Sequence, residues 1–203
     1  MERGIFITFE GTDGSGKTTQ IEILKTVLEK MGYNCIFTRE PGGTLLGEEL
    51  RKIILSKDFG NMLPETEAML YAACRAQHVE EVIRPALKQG KVVLCDRYID
   101  SSVAYQKYGR KLGSMVEKIN EFAIHGTMPD KTFLLMLDPN KSKDRIVREL
   151  DRLESEPYEY HDRVYKGYEK IAEENPERVV RIDGEKSIEC IAEIIIEEVR
   201  KII

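Results

Sequence analysis

The string Gly11-Thr12-Asp13-Gly14-Ser15-Gly16-Lys17-Thr18 joins an apolar run, Ile5-Phe6-Ile7-Thr8-Phe9, to a helical pattern. Its spacing is G-x-x-x-x-G-K-[ST], which in a strand-to-helix context makes a phosphate cradle. Glycines let the backbone curl until several N–H groups converge on an anion, Lys17 reaches the outer phosphates, and the Thr18 hydroxyl ligates Mg²⁺. A helix opening near Gly16 points the positive end of its dipole at the same place. Residues 11–19, ending on Thr19, are therefore predicted to hold a nucleoside triphosphate. The bland alternative is a glycine-rich turn that happens to carry a lysine.

Other residues able to do chemistry stand at the ends of apolar runs. Val92-Val93-Leu94-Cys95 closes on Asp96-Arg97-Tyr98, and ligands of open parallel sheets sit outside the carboxyl ends of the strands. Asp96 is expected to share the crevice of Lys17 and, with Thr18, the Mg²⁺ shell; the alternative is a helix cap. Arg97 adds a cation there, unless it forms an ordinary surface ion pair. Thr38-Arg39-Glu40-Pro41-Gly42-Gly43-Thr44 makes a tight turn into a helix carrying Arg51. Tyr71 and Arg75 fall on one helical face, suited to stacking a base and bonding its edge. By itself such a pair is commonly a surface cation–π contact.

The elements that must position these groups alternate. Apolar runs of strand length at 4–9, 34–38, 91–95, 131–137 and 178–182 are separated by helix-period segments such as 20–31, 66–89 and 188–203, with Gly32, Gly90 and Gly126 as stop signals. This predicts an α/β, three-layer fold with a five-stranded parallel sheet flanked by helices. The polar stretch after the fourth strand breaks the rhythm and is expected to cover the site as a short lid, about 141–157. No repeat or linker divides the chain, so residues 1–203 are read as one domain.

With 203 residues and a net charge of −5, a complete enzyme fits, and a nucleic-acid or membrane-surface binder, which concentrates positive charge, is disfavoured. Cys35, Cys74, Cys95 and Cys190 show no C-x-x-C spacing and are expected to be free thiols in a reducing compartment. The chain shows no secretory signal or run long enough to span a membrane, so a cytoplasmic location is expected.

Taken in order, FEGTDGSGKTTQ (9–20), REPGGT (39–44), YAACRAQHV (71–79), DRYIDSSVAYQ (96–106) and the later Asp151-Arg152-Leu153-Glu154 resemble the thymidylate kinase family over essentially the whole chain. These are P-loop enzymes that phosphorylate dTMP from ATP in dTTP biosynthesis. The resemblance implies that Asp13 reaches the sugar 3′-OH and the Mg²⁺ shell. It also implies that Tyr71 stacks on thymine, Arg75 bonds the base, and Arg51 and Arg97 clamp the dTMP phosphate. Pro41 would pack near the base, Ser101, Ser102 and Gln106 would line the thymine side, and Tyr105 would lie under the deoxyribose. Position 14 is Gly, which points to the branch whose lid arginines approach the transferred phosphoryl. Arg145, Arg148 and Arg152 are the candidates, although Glu149 replaces the customary glycine after Arg148. Arg152 is expected to act there, with Lys17, Asp13 and Arg97. Family likeness further implies a homodimer through the helix at 66–82 and adenine contacts around Asp183-Gly184-Glu185.

Two alternatives stay open. Another nucleoside monophosphate kinase would keep the phosphate chemistry and change the acceptor. A nucleotide-dependent switch would bind without an acceptor, although no Asn-Lys-x-Asp string for guanine is present.

Overall fold

In a computed structural model that describes residues 3–145 and 147–203, five parallel strands form one sheet. They are β1 (Phe6–Gly11), β2 (Cys35–Arg39), β3 (Val92–Asp96), β4 (Lys131–Met136) and β5 (Val179–Asp183), paired in the order β2-β3-β1-β4-β5. Four of the expected strands end one or two residues early. The sequence pattern stops at Phe9, Thr38, Cys95 and Ile182, whereas the ladder continues into Gly11, Arg39, Asp96 and Asp183. Register sets Phe9 and Arg39 beside Asp96, and Met136 beside Asp183, so the charged ends of several strands share one edge.

Helices cover both faces. On one, α1 (Lys17–Lys30) and α9 (Ile188–Val199) bury Ile21, Leu24, Leu28, Ile191 and Ile195 against Ile7, Phe9, Leu94 and Phe133. The other face is covered by the remaining helices. First come α2 (Leu45–Leu55), α3 (Pro64–His78), α4 (Arg84–Lys88) and α5 (Ile99–Ser102), followed by α6 (Met115–Ile124), α7 (Pro139–Asp144) and α8 (Tyr158–Glu174). Here Tyr98, Val79 and Ile83 pack on Phe6 and Val93, and Tyr160, Val164 and Tyr168 pack with Leu134 and Tyr105. Side chains alternate along β1, so Phe6, Thr8 and Glu10 point to this second face.

The segment read as one helix at 66–89 is instead α3, a π-helical stretch Val79–Ile83 and α4. Pro85 lies in the first turn of α4, where its missing N–H is tolerated. A second π stretch, Val103–Gly109, follows α5 and carries Tyr105 and Gln106; such insertions re-aim side chains at functional sites. Within the expected lid, α7 ends at Asp144 and α8 begins at Tyr158; Ile146 lies outside the described residues. All four cysteines are free thiols. No helix among the described residues is long and apolar enough to cross a membrane.

Candidate active site

The loop between β1 and α1 has the geometry its spacing calls for. Gly16 opens α1 in the left-handed region at φ 94°, and Gly11 and Gly14 also have positive φ, at 131° and 78°. A Cβ on Gly11 would meet the Leu135 carbonyl at 2.2 Å and one on Gly14 the Ser142 carbonyl at 2.7 Å, so only glycine fits either place. The Lys17 ammonium curls back over the loop and donates to the Thr12 and Gly11 carbonyls at 2.9 and 3.2 Å. Burial pushes the Lys17 pKa down, as does Arg97, while Asp96 and Asp13 partly restore it. Gly11, Thr12 and Ser15 are buried beneath the loop. Gly14, Gly16, Lys17, Thr18 and Thr19 line its cleft.

Asp96 reaches the same cleft from β3. Its Oδ2 accepts from the Thr18 hydroxyl at 3.3 Å, and its Oδ1 is buried without a hydrogen-bond partner. No side chain caps α5, so Asp96 is not the helix cap that its position also allowed. A hydroxyl and a half-satisfied carboxylate side by side suit Mg²⁺, which keeps several waters and takes few protein ligands beyond substrate phosphates. The described residues hold no cluster of three or more His, Cys, Asp or Glu side chains able to cage a metal.

Beside the loop cleft lies a second cavity, lined by Pro41, Tyr71, Arg75, Ser101, Tyr105 and Gln106 among others. Its floor is a buried polar network. Arg75 Nε donates to Glu40 Oε2 at 2.7 Å, Nη1 to Ser102 Oγ at 2.9 Å and to Asn120 Oδ1, and Nη2 to the Tyr98 carbonyl at 2.9 Å. Glu40 Oε1 faces His78 Nδ1 at 2.9 Å, and His78 Nε2 lies 2.6 Å from Thr38 Oγ1. Arg75 is 1% exposed and stacks over Tyr98, so the surface pair with Tyr71 does not form. Ser102 sits behind the wall as an Arg75 partner. Gln106 donates to Glu67 Oε1 at 2.9 Å. Arg51 donates to the Pro41 carbonyl at 2.9 Å.

The two cavities meet at a junction lined by Asp13, Glu40, Arg51, Arg97 and Arg148. Arg97 Nη2 donates to Asp13 Oδ1 at 2.9 Å, and its guanidinium lies over the Tyr105 ring. Burial pushes the Asp13 carboxyl up, but Arg97 and Lys17 together outweigh it and hold it well below the usual carboxylate range. Burial opposes the Arg97 charge, while Asp13, Tyr105 and Tyr168 sustain it. Arg97 is left-handed at φ 66°, a conformation costing a non-glycine residue roughly 1–2 kcal/mol.

Sequence reading missed Glu10. It is fully buried and accepts from Tyr98 N, Ser101 Oγ and Tyr168 OH. Burial, then the charge of Asp100, pushes its carboxyl up to about 7. The available signal was an acid placed inside an otherwise buried strand, one residue before the loop.

The lid corrects one expectation. Arg152 lines neither cavity: it is 8% exposed, donates from Nε to the Ile54 carbonyl at 2.9 Å, and lies 2.8 Å from Glu67 in an ion pair off a hydrogen bond's line. The turn decides this. Asp151 Oδ1 accepts from the amides of Leu153 and Glu154, and that turn directs the next side chain inward. Arg145 and Arg148 line the loop cleft instead. Arg148 is held by a two-pronged pair with Glu154 at 2.8 and 2.6 Å, and Arg145 Nη1 lies 3.4 Å from the Gly184 carbonyl after β5.

A phosphate-cradling loop at the carboxyl edge of a parallel sheet, joined through a cluster of arginines to a second cavity, defines a P-loop protein built to handle two ligands side by side. The family model for thymidylate kinase matches residues 9–195. A thymidylate kinase from an Exiguobacterium species is 49% identical over 197 residues, covering 96% of this chain and 93% of that one. One from Halalkalibacterium halodurans is 48% identical over 194 residues, covering 93% and 92%. The crystal structure of thymidylate kinase from Ehrlichia chaffeensis superposes with a TM-score of 0.79 at 34% identity, covering 98% of this chain and 99% of that one. The chain belongs to the thymidylate kinase family.

Proposed function

We propose that the protein transfers the γ-phosphoryl of ATP to dTMP, giving dTDP, in the cytoplasm and on the route to dTTP. The observation that carries this reading is the shared junction: Asp13, Arg51, Arg97 and Arg148 border both the loop cleft and the second cavity. ATP takes the loop, with its phosphates on the amides of residues 11–19 and on Lys17. Its adenine lies between Arg145 and the turn at Asp183-Gly184-Glu185. dTMP takes the cavity, with its phosphate on Arg97 and Arg51, Tyr105 under the sugar, and Asp13 at the 3′-OH. Thymine lies against Tyr71 and Pro41, facing the wall of Arg75, Ser101 and Gln106, with Ser102 fixing Arg75 from behind.

Phosphoryl transfer asks for in-line positioning and neutralisation of the equatorial oxygens more than for covalent help. A dTMP phosphate is already largely ionised at neutral pH, with a second pKa near 6, so no general base is assigned. Lys17 and Arg148 follow the migrating group, and Arg97 holds the attacking phosphate. Thr18 and Asp96 would hold Mg²⁺, which would supply neutralisation of the phosphate charge.

A homodimer is proposed through α3 and α6, where Met69, Phe122 and Met115 are 57%, 77% and 58% exposed. Met69 and Phe122 border one groove with Ala72, Ala73, Ala76, Ile119 and Ala123. The experiment for the reaction is incubation with γ-labelled ATP, Mg²⁺ and dTMP. Label recovered in dTDP supports it, and label released only as inorganic phosphate rejects it.

A further inference from the structure

Glu10 sits at the carboxyl end of β1, and each of its acceptor contacts serves the chain around Arg97. Its Oε1 accepts from the Tyr98 amide at 2.7 Å. Its Oε2 accepts from Ser101 Oγ at 2.6 Å and from Tyr168 OH at 3.1 Å. Both hydroxyls in turn accept from Arg97 Nη1, at 3.2 and 3.3 Å. The carboxylate therefore reaches the guanidinium through two short bridges, one from α5 and one from α8.

Arg97 needs such a hold. Its left-handed φ of 66° persists only where the surroundings over-determine it. The Arg97 amide donates to the Phe9 carbonyl at 2.9 Å, and the next amide, Tyr98, donates to Glu10. Two consecutive residues of β1 thus pin the backbone on either side of the strained residue. A buried carboxylate is costly unless several donors converge on it. Three do, from the backbone, a serine and a tyrosine.

We propose that Glu10 is the positioning residue for Arg97, fixing the guanidinium that holds the acceptor phosphate through the hydroxyls of Ser101 and Tyr168. This rests on reading Arg97 as that phosphate clamp. A carboxylate is what the arrangement demands, since all three neighbours donate. Glutamine keeps the shape but offers one acceptor oxygen, and its NH₂ must face a donor. Aspartate, shorter by a methylene, draws the carboxyl back from the same donors.

Two variants test it, Glu10→Gln and Tyr168→Phe, with the KM of dTMP and of ATP measured separately. Tyr168→Phe keeps the buried ring that packs edge-on against Tyr105, so it reports even where Glu10→Gln folds poorly. We expect the KM of dTMP to rise about tenfold or more in Glu10→Gln and about threefold or more in Tyr168→Phe, the scale of lost hydrogen bonds to charged groups. The KM of ATP should stay within about twofold. The double variant should show less than the product of the single effects, because both act on one relay. An unchanged KM for dTMP in Tyr168→Phe, or a parallel rise for both substrates, overturns the relay. A wild-type protein inactive on dTMP would overturn the functional reading and the relay with it. An active wild type with indifferent variants overturns the relay alone.

Discussion

Arg97 Nη2 meets Asp13 Oδ1 at 2.9 Å, and this one ion pair ties the phosphate loop to the acceptor side of the cleft. Asp13, on the phosphate loop, is therefore tied to the residue read as the acceptor-phosphate clamp. Arg97→Ala should lower kcat/KM for dTMP by about 10³, the scale of an arginine that neutralises transferring phosphate. A milder loss confined to ATP binding would place the acceptor phosphate elsewhere. Steady-state kinetics with each substrate varied in turn reads this directly.

Arg148 and Arg152 should separate cleanly. Arg148 borders the junction, and its side chain is 61% exposed, so Arg148→Ala should cut kcat by about 10²–10³ with little change in Tm. Arg152 is packed on Glu67, a fully buried carboxylate that Arg110 also holds. Removing Arg152 leaves that charge short of a partner and should cost about 3 kcal/mol of stability. Its effect on kcat, measured well below the melting temperature, should be much smaller than that of Arg148→Ala.

How far these residues were legible in sequence follows from what spacing encodes. Lys17 and Thr18 lie within eight residues of one continuous motif, so spacing alone sets their place. Asp96 was readable because an apolar run ends on it, and strand ends carry ligands in parallel sheets. The inward turn of Arg152 was not readable, because a short motif names the residue but not the direction of its side chain; the Asx turn of Asp151 sets that direction. Glu10 was passed over because its partners at 98, 101 and 168 meet it only through the fold. The breaks in the long helical segments were equally hidden, since a π stretch keeps an ordinary helical composition.

Stability should depend on pH in two opposed ways. Asp13 has its pKa lowered, so it contributes stability that is present above its ordinary value of 3.8 and lost as pH falls through that value and below. Glu10 is raised from 4.5 to about 7, so between those values the folded state keeps a proton that the unfolded state releases, and the carboxylate that Tyr98, Ser101 and Tyr168 meet is complete only above neutrality. Stability therefore falls as pH rises from 4.5 to 7. Thermal melts should show Tm declining from pH 5 toward neutrality, and Glu10→Gln should flatten that slope. An identical slope in the variant would assign it to another group.

Thr18→Ala should raise the Mg²⁺ concentration for half-maximal rate by about tenfold or more, and Asp96→Asn should act in the same direction, since each removes one element of a sparse cation site. Chelation by EDTA should abolish turnover in the wild type, with recovery on adding Mg²⁺. Turnover that survives chelation would remove the metal role from both residues.

Phe122→Glu places a charge on the apolar face of α3 and α6 and should convert a dimer to a monomer in sedimentation equilibrium. A wild type that sediments as a monomer would reject the interface outright.

The most direct test of the whole account is ADP release from ATP and Mg²⁺, with dTMP, dUMP, dCMP, dGMP, AMP and thymidine each offered as acceptor. The account predicts the highest kcat/KM for dTMP and none for thymidine, which lacks the phosphate that Arg97 and Arg51 hold. Preference for another monophosphate would contradict the base wall of Arg75, Ser101 and Gln106, and ATP turnover indifferent to every acceptor would contradict phosphoryl transfer itself.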